Sequence, residues 1–286
     1  MIKPLASLST GFNDLVNHFR RWRGPVALRT SQRSHSLLPD LCVTCLAPDA
    51  VNGLCQGCRQ DLPGNTTACY CCGLPLTLAA PTANLICGEC LKRPPAFTSA
   101  FIPWCYQFPV DRMIGHYKYR GQRHFVRPLL ADFAALAQQR LEDNPNQRPQ
   151  LLVPAPMHRK RQRQRGFNQA ADIAEALSLA TGIPWSNELL RRQRATAAQS
   201  GLDRRQRLSN LKGVFEVIGK VPAHVAVVDD VVTTGATART LATLLQQRGA
   251  ETVEIWALAR TPAQFGHSHQ SFSDLAGDGQ AGGQTR

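Results

Sequence analysis

The sequence predicts an α/β fold, a mainly parallel sheet covered by helices, preceded by a small cysteine-rich module. Three observations carry that expectation. Short apolar runs alternate with amphipathic stretches between residues 97 and 260, the pattern of strands buried on both faces and joined by crossover helices. All ten cysteines lie between Cys42 and Cys105. An apolar run ends in VVDDVVTTGATA, residues 227–238, and continues as a helical pattern. With 286 residues, 43% of them hydrophobic, the chain can bury one sizeable core and carry an accessory module.

The elements follow in order. Residues 1–36 are basic and poor in apolar positions, and Phe12, Leu15, Val16 and Phe19 recur at the spacing of one short helix. Residues 37–95 hold four CxxC pairs, Cys42/Cys45, Cys55/Cys58, Cys69/Cys72 and Cys87/Cys90, separated by nine, ten and fourteen residues. Two residues between thiolates let one tight turn aim both sulfurs at one ion, and two such turns complete a closed four-thiolate site with no catalytic position. Ribbons this small have little core and fold around their metal. Two structural zinc ions are therefore expected. Consecutive pairing assigns one to Cys42, Cys45, Cys55 and Cys58 and the other to Cys69, Cys72, Cys87 and Cys90; interleaved pairing is the alternative. A disulfide framework is the main competitor, and a reducing cytosol without an export signal weighs against it. Cys71 and Cys105 read as packed or partly exposed thiols. Pro94 and Pro95 mark a linker.

Phe101 and Ile102 begin the α/β part as a strand, followed by a helical stretch containing Met113, Ile114, Leu129, Leu130 and Phe133. QLLVPAP, residues 150–156, reads as a strand entering a Pro-rich loop, and residues 167–182 as a helix closed by Gly182. Residues 214–217, 225–228 and 255–258 read as further strands, with a helix over 236–247 capped near Gly249. The tail from 261 to 286, rich in Gly, Ser, Gln and His, reads as unpacked, and His267 and His269 as polar tail residues.

Asp229 and Asp230 are placed at the carboxyl end of the 225–228 strand, the edge where parallel sheets bind ligands. Backbone N–H groups, the hydroxyls of Thr233, Thr234 and Thr237, and the helix N-terminus beyond Ala236 make a phosphate cradle. Gly235 allows close approach. Two acids repel that phosphate, so they face ribose hydroxyls or a divalent cation instead. A ligand with a phosphate and a sugar diol satisfies both halves. No GxxxxGK[ST] and no GxGxxG after a strand competes with this reading.

VVDDVVTTGATA resembles the fingerprint of type I phosphoribosyltransferases, whose shared ligand is 5-phosphoribosyl-1-pyrophosphate (PRPP). More narrowly, four CxxC pairs followed by HYKYRGQ, VPAPMHRKRQRQRGFNQ and VVDDVVTTGAT resemble the ComF family of competence-associated proteins over about residues 38–260. The resemblance implies a sheet of the type I phosphoribosyltransferase kind behind a double zinc ribbon. It implies catalytic Asp229 and Asp230 at the ribose. Thr233, Thr234, Gly235, Ala236 and Thr237 would hold the 5-phosphate, and Val153, Pro154, Ala155 and Pro156 the pyrophosphate, with Mg²⁺. RRQRATAAQSGLDRRQR, residues 191–207, would be a flexible cover. The family is linked to DNA uptake and transformation.

Charge points the same way. The formal net charge is +13, a surface suited to polyanions. Arg159, Lys160, Arg161, Arg163 and Arg165 crowd a segment read as a basic loop, more charge than one pyrophosphate needs. Arg191, Arg192, Arg194, Arg204, Arg205 and Arg207 form a second basic segment. In HYKYRG, Lys118 and Arg120 suit phosphates, and Tyr117 and Tyr119 are candidates to stack on bases. No uninterrupted apolar run approaches about 20 residues, and basic FRRWR follows the first residues in place of a cleavage site. A cytoplasmic location without membrane insertion is expected. Two functions remain in view: a DNA-handling protein that binds single strands and partners a competence helicase or recombination protein, favoured because no acceptor pocket is recognisable, and an active Mg²⁺-dependent phosphoribosyltransferase.

Overall fold

The computed structural model describes residues 41–77, 84–193 and 213–263, with the side chain of Lys160 excepted. All of these lie within the unit Asp40–Arg286. The expected helix around Phe12, the residues 194–207 of the cover segment, and His267 and His269 fall outside the described residues.

Each cysteine ribbon ends in a one-turn helix, α1 (Gln56–Gln60) and α2 (Gly88–Lys92). Cys55 and Cys87 are their N-caps, and their sulfurs accept the N–H of Cys58 and Cys90 at 3.4 Å. A cysteine at the cap and another three residues on lie on the same side of the first turn, which aims both sulfurs inward. Then come β1 (Ser99–Phe101), β2 (Trp104–Cys105), α3 (Val110–Arg120) and α4 (Arg123–Asp143). Gly121, at φ 66°, closes α3, so the single helical stretch expected across Met113 and Phe133 is two helices. β3 (Leu151–Pro154), α5 (Arg159–Arg165), α6 (Gln169–Thr181), β4 (Leu190–Arg192), β5 (Phe215–Val217), β6 (His224–Val232), α7 (Ala236–Gln247) and β7 (Thr252–Arg260) complete the order.

The main sheet is parallel throughout, ordered β1-β7-β6-β3 with β2 also on β7. The expected strand at 214–217 is β5, but it pairs antiparallel with β4 in a separate two-stranded ribbon. Side chains alternate across the main sheet with the two-residue period of a strand. Leu152, Ala226, Val228, Trp256 and Leu258 face Met113, Leu129, Phe133, Ile173 and Leu177 of α3, α4 and α6. Val153, Val225, Val227, Val253 and Ile255 face Leu241 and Leu245 of α7, with Phe215 and Val217 alongside. Each such large side chain contributes about 1.5–3 kcal/mol by leaving water.

The two ribbons dock on opposite faces. Cys42, Ala50 and Leu54 join the core beside Leu129, and Arg59 forms an ion pair with Asp132 of α4. Cys72 packs on the α7 side. There Gly73 has φ 64°, and a Cβ would stand 2.8 Å from Ile102 Cδ1, so only glycine fits. At the amino end of the sheet, buried Glu254 accepts from Arg140 Nη2 and Trp256 Nε1, both at 2.8 Å, with His224 Nε2 at 3.0 Å. Burial opposes its ionisation, but His224 and Arg140 outweigh that and hold its carboxyl below the usual range. Among the described residues no helix is long and apolar enough to cross a membrane.

Candidate functional site

The paired cysteines gather consecutively. The sulfurs of Cys42, Cys45, Cys55 and Cys58 lie within 4.8 Å of one another, as do those of Cys69, Cys72, Cys87 and Cys90. Interleaved pairing is thereby excluded, and all ten cysteines are free thiols without a disulfide. Four sulfurs at a Zn–S length of about 2.3 Å stand about 3.8 Å apart at tetrahedral corners. Cys45 and Cys55 are separated by 3.7 Å, and so are Cys72 and Cys87. Both groups fit zinc in number, chemistry and spacing. Cys69 is already drawn down to about 4 by its Cys72 hydrogen bond, against burial, with help from the Cys87 N–H, and thiolate is the form a metal takes. Cys71 and Cys105 belong to neither group.

The acids stand on β6. The strand continues through Val232, so Asp229 and Asp230 lie within it and not at its end, although β3 has already stopped pairing at Pro154, opposite Val228. The two carboxyl groups lie within hydrogen-bonding reach of each other. Asp230 receives Lys118 Nζ at 2.9 Å from the last turn of α3, the two side chains being 13% and 14% exposed. Lys118, expected to contact a phosphate, is thus already engaged by an acid. Burial, and after it the Asp230 charge, push Asp229 up to about 7, with Lys118 pulling the other way. Its carboxyl is consequently poised between protonated and ionised near neutral pH.

Thr233 to Gly235 form the turn into α7. Gly235 is the N-cap at φ 74°, and nothing lies within 4 Å of where its Cβ would be. The helix therefore opens onto free space with its N–H groups forward, a setting that attracts anions. Thr234 Oγ1 accepts the Ala236 N–H at 3.4 Å. Thr233 is exposed and Thr237 half-buried.

The VPAP segment is less loop than expected: Val153 and Pro154 are buried in β3, and only Ala155 and Pro156 leave it. The Ala155 N–H donates to Val228 O at 2.8 Å, and Asn168 Nδ2 holds Ala155 O at 3.2 Å. The expected basic loop is helix α5, which exposes Arg159 and Arg163 and half-buries Arg161 and Arg165. The Arg165 guanidinium stands 5.1 Å from the centre of the Tyr119 ring, and Tyr119 is 75% exposed. Tyr117 is fully buried with Met113 and Ile114, its hydroxyl donating to Asp172 at 3.0 Å; it is a core residue and no base-stacking surface. Arg192 of β4 has its pKa lowered by burial first and by the Arg161 charge second, which places the two basic segments within electrostatic reach.

Two arginines that the sequence does not single out connect the turn to the second ribbon. Arg260, 6% exposed, donates to Val232 O at 3.0 Å, to Thr233 O, and through Nε to Cys72 O at 3.1 Å. Arg239, in the first turn of α7, donates to Arg93 O at 3.0 Å and to Cys90 Sγ at 3.8 Å. A basic residue ending a strand or opening a helix has no local signature of such a role.

A parallel sheet with two acids and a glycine turn at a helix start, clasped by two four-cysteine ribbons, defines an α/β protein with a double zinc ribbon. Residues 34–91 match the double zinc ribbon domain family. The chain belongs to the ComF family. It is 34% identical over 227 residues to DNA utilization protein YhgH of Escherichia coli strain K12, spanning 78% of this chain and 98% of that one. It is 33% identical to competence protein F of Haemophilus influenzae, over 74% of this chain and 92% of that one. Competence protein ComFC of Bacillus subtilis is 26% identical, over 76% and 87%. Among solved structures, a purine phosphoribosyltransferase from Pyrococcus horikoshii aligns over 46% of this chain and 83% of its own, with TM-score 0.30 and 15% identity. At that score it adds nothing to what the sheet order and the relatives establish.

Proposed function

We propose that the protein binds a PRPP-type sugar phosphate at the carboxyl edge of its sheet and handles single-stranded DNA along α5, acting in the cytoplasm during DNA uptake. The observation that carries the sugar-phosphate half is the strand unit itself: Asp229 and Asp230 stand on β6 just before an open, left-handed Gly235 at the start of a twelve-residue helix. The turn from Thr233 to Thr237 takes the 5-phosphate through helix N–H groups, and the acids accept from ribose hydroxyls. Asp230 already has Lys118, so the two carboxylates suit Mg²⁺ held largely by the ligand's own oxygens and not by a protein cage. When bound, the ion neutralises pyrophosphate charge. The exit of β3 at Ala155 and Pro156 borders the same edge.

The DNA half is supported by the names of the relatives, which are a DNA utilization protein and competence proteins, and by α5 itself. Arg159 and Arg163 are exposed there, and Arg165 lies over the exposed Tyr119 ring, a pairing of cation and aromatic surface that suits unpaired bases. A helicase or recombination protein is the partner class that would act on the same strand. The deciding measurement is calorimetric titration of PRPP with Mg²⁺, alongside anisotropy of a labelled oligonucleotide. Asp229→Asn with Asp230→Asn, and separately Gly235→Val, should abolish PRPP binding while circular dichroism stays native. Wild-type protein that binds neither ligand sinks the reading.

One observation favours catalysis as a second reading. A carboxyl near 7, as at Asp229, suits proton transfer at neutral pH. Pyrophosphate release from PRPP, tested across a panel of nitrogen acceptors, decides it. Turnover above the buffer rate with any one acceptor establishes a transferase.

A further inference from the structure

The second four-cysteine cluster and the phosphate turn face each other across a cavity of about 660 Å³. Cys72 and Cys87 line one side, and Thr233, Thr234 and Gly235 the other. Arg239 and Arg260 also line the cavity, and each holds both sides. Arg260 binds Cys72 O through Nε and the carbonyls of Val232 and Thr233 through Nη1. Arg239 belongs by its backbone to the helix that presents the turn, its N–H donating to Gly235 O at 2.9 Å. Its guanidinium reaches Cys90 Sγ and the Arg93 carbonyl beyond α2.

The first cluster is placed differently. Its anchors are Arg59 on Asp132 and Gly53 against Pro128, both on α4 and on the other face of the sheet. Metal at that cluster therefore has no comparable contact with the turn among the described residues.

We propose that Arg239 and Arg260 are positioning residues that couple metal in the Cys69, Cys72, Cys87 and Cys90 cluster to the geometry of the phosphate turn. The inference rests on the sugar-phosphate reading above. Zinc drawn to four thiolates leaves a doubly negative centre, which holds the Arg239 guanidinium as a charge-assisted partner. It also fixes the Cys72 backbone on which Arg260 rests. Without metal, the ribbon loses the force that folds it, and both arginines lose their hold on the ribbon side. The turn then loosens, and its N–H groups no longer converge on one anion. Coupling of this kind is reciprocal: whatever factor metal adds to phosphate affinity, phosphate adds to metal affinity.

The test uses the full chain, with ribose 5-phosphate as the probe. Cys90→Ser should strip metal from the second cluster alone and weaken ribose 5-phosphate on the order of tenfold. Cys58→Ser, emptying the first, should leave that affinity within about twofold. Should Cys90→Ser fail to fold, Arg239→Lys keeps the charge and all eight thiolates while shortening the reach. It should retain both metals and still bind the probe more weakly. A spectroscopic readout separates coupling from general loosening. In protein loaded with Co²⁺ and carrying Cys58→Ser, so that only the second cluster is coloured, ribose 5-phosphate should shift the thiolate-to-cobalt absorption. Adding Arg239→Lys should remove the shift. The probe should also raise the affinity of that cluster for its metal, read by chelator competition at equilibrium, by the same factor. Wild-type protein that binds the probe, with Cys90→Ser or Arg239→Lys binding equally well and no cobalt shift, overturns the coupling alone. Wild-type protein that does not bind the probe overturns the coupling together with the sugar-phosphate reading.

Discussion

Lys118 Nζ lies 2.9 Å from Asp230 Oδ1, so the last turn of α3 supplies the counter-charge for the second acid of β6. Both groups are mostly buried, and removing one partner of such a pair leaves the other charged and desolvated. Lys118→Met should therefore cost about 3 kcal/mol in urea unfolding. Adding Asp230→Asn should recover most of it, since the orphaned charge goes too. Single-variant costs below about 0.5 kcal/mol that simply add would mean the pair contributes nothing.

Asp229 makes stability depend on pH in a defined direction. Its folded pKa, near 7, is above the ordinary carboxylate value because of burial and the Asp230 charge. The folded state thus holds the proton more tightly than the unfolded chain. The contribution is fully present below about pH 4 and is lost as pH rises through 7. Asp229→Asn should flatten the fall in stability across that window, as read from urea midpoints at half-unit steps of pH. A wild-type curve that instead rises from pH 4 to 7, with no difference in the variant, contradicts this assignment.

Purified protein should contain about two zinc ions per chain, one for each closed four-thiolate group. Cys55→Ser should lower the count to about one. Elemental analysis gives the number directly, and a preparation with no zinc, or with intramolecular disulfides after reducing expression, removes the metal reading.

Binding of single-stranded oligonucleotide should weaken steeply with salt. Replacing Arg161, Arg163 and Arg165 with glutamine should make the log–log salt slope shallower by roughly 2 if all three meet phosphates, at about 0.7 per contact. Anisotropy titrations at several salt concentrations measure it. Because Arg161 and Arg165 are half-buried, a smaller change of about 0.7 would assign the contact to Arg163. Identical slopes would mean that α5 does not touch the strand.

Much of this was readable from residue order, and the misreadings have physical causes. The helix expected over 236–247 is α7 to the residue, because Gly235 before it and Gly249 just after it, both at positive φ, bound it on both sides. Four CxxC pairs announced two metal groups, but spacing alone does not distinguish consecutive from interleaved pairing; only the folded ribbons do. Of the two tyrosines that are candidates to stack, Tyr117 is excluded by a signal present in the sequence: with Val110, Met113 and Ile114 it completes a helical stripe, all four buried. The α5 arginines read as a loop, yet helix propensity in RKRQRQR is high. β5 has a strand's composition, and nothing local says that its partner is β4 and not the main sheet. Arg260 and Arg239 were invisible because their partners are backbone carbonyls and a sulfur far away in the chain.

Those distances have a consequence for synthesis on the ribosome. Cys72 must wait for Arg260, 188 residues later, and Cys90 for Arg239, 149 residues later. At about 5–20 residues per second, the longer wait is roughly 10–40 s. Throughout that interval the second ribbon has emerged but its docking face on the sheet is incomplete. A ribbon closed on zinc keeps its short helix and inward-facing apolar residues folded while it waits. All four ligands of that cluster are thus synthesised before the arginines that dock it, so the ribbon can take its metal before the sheet closes.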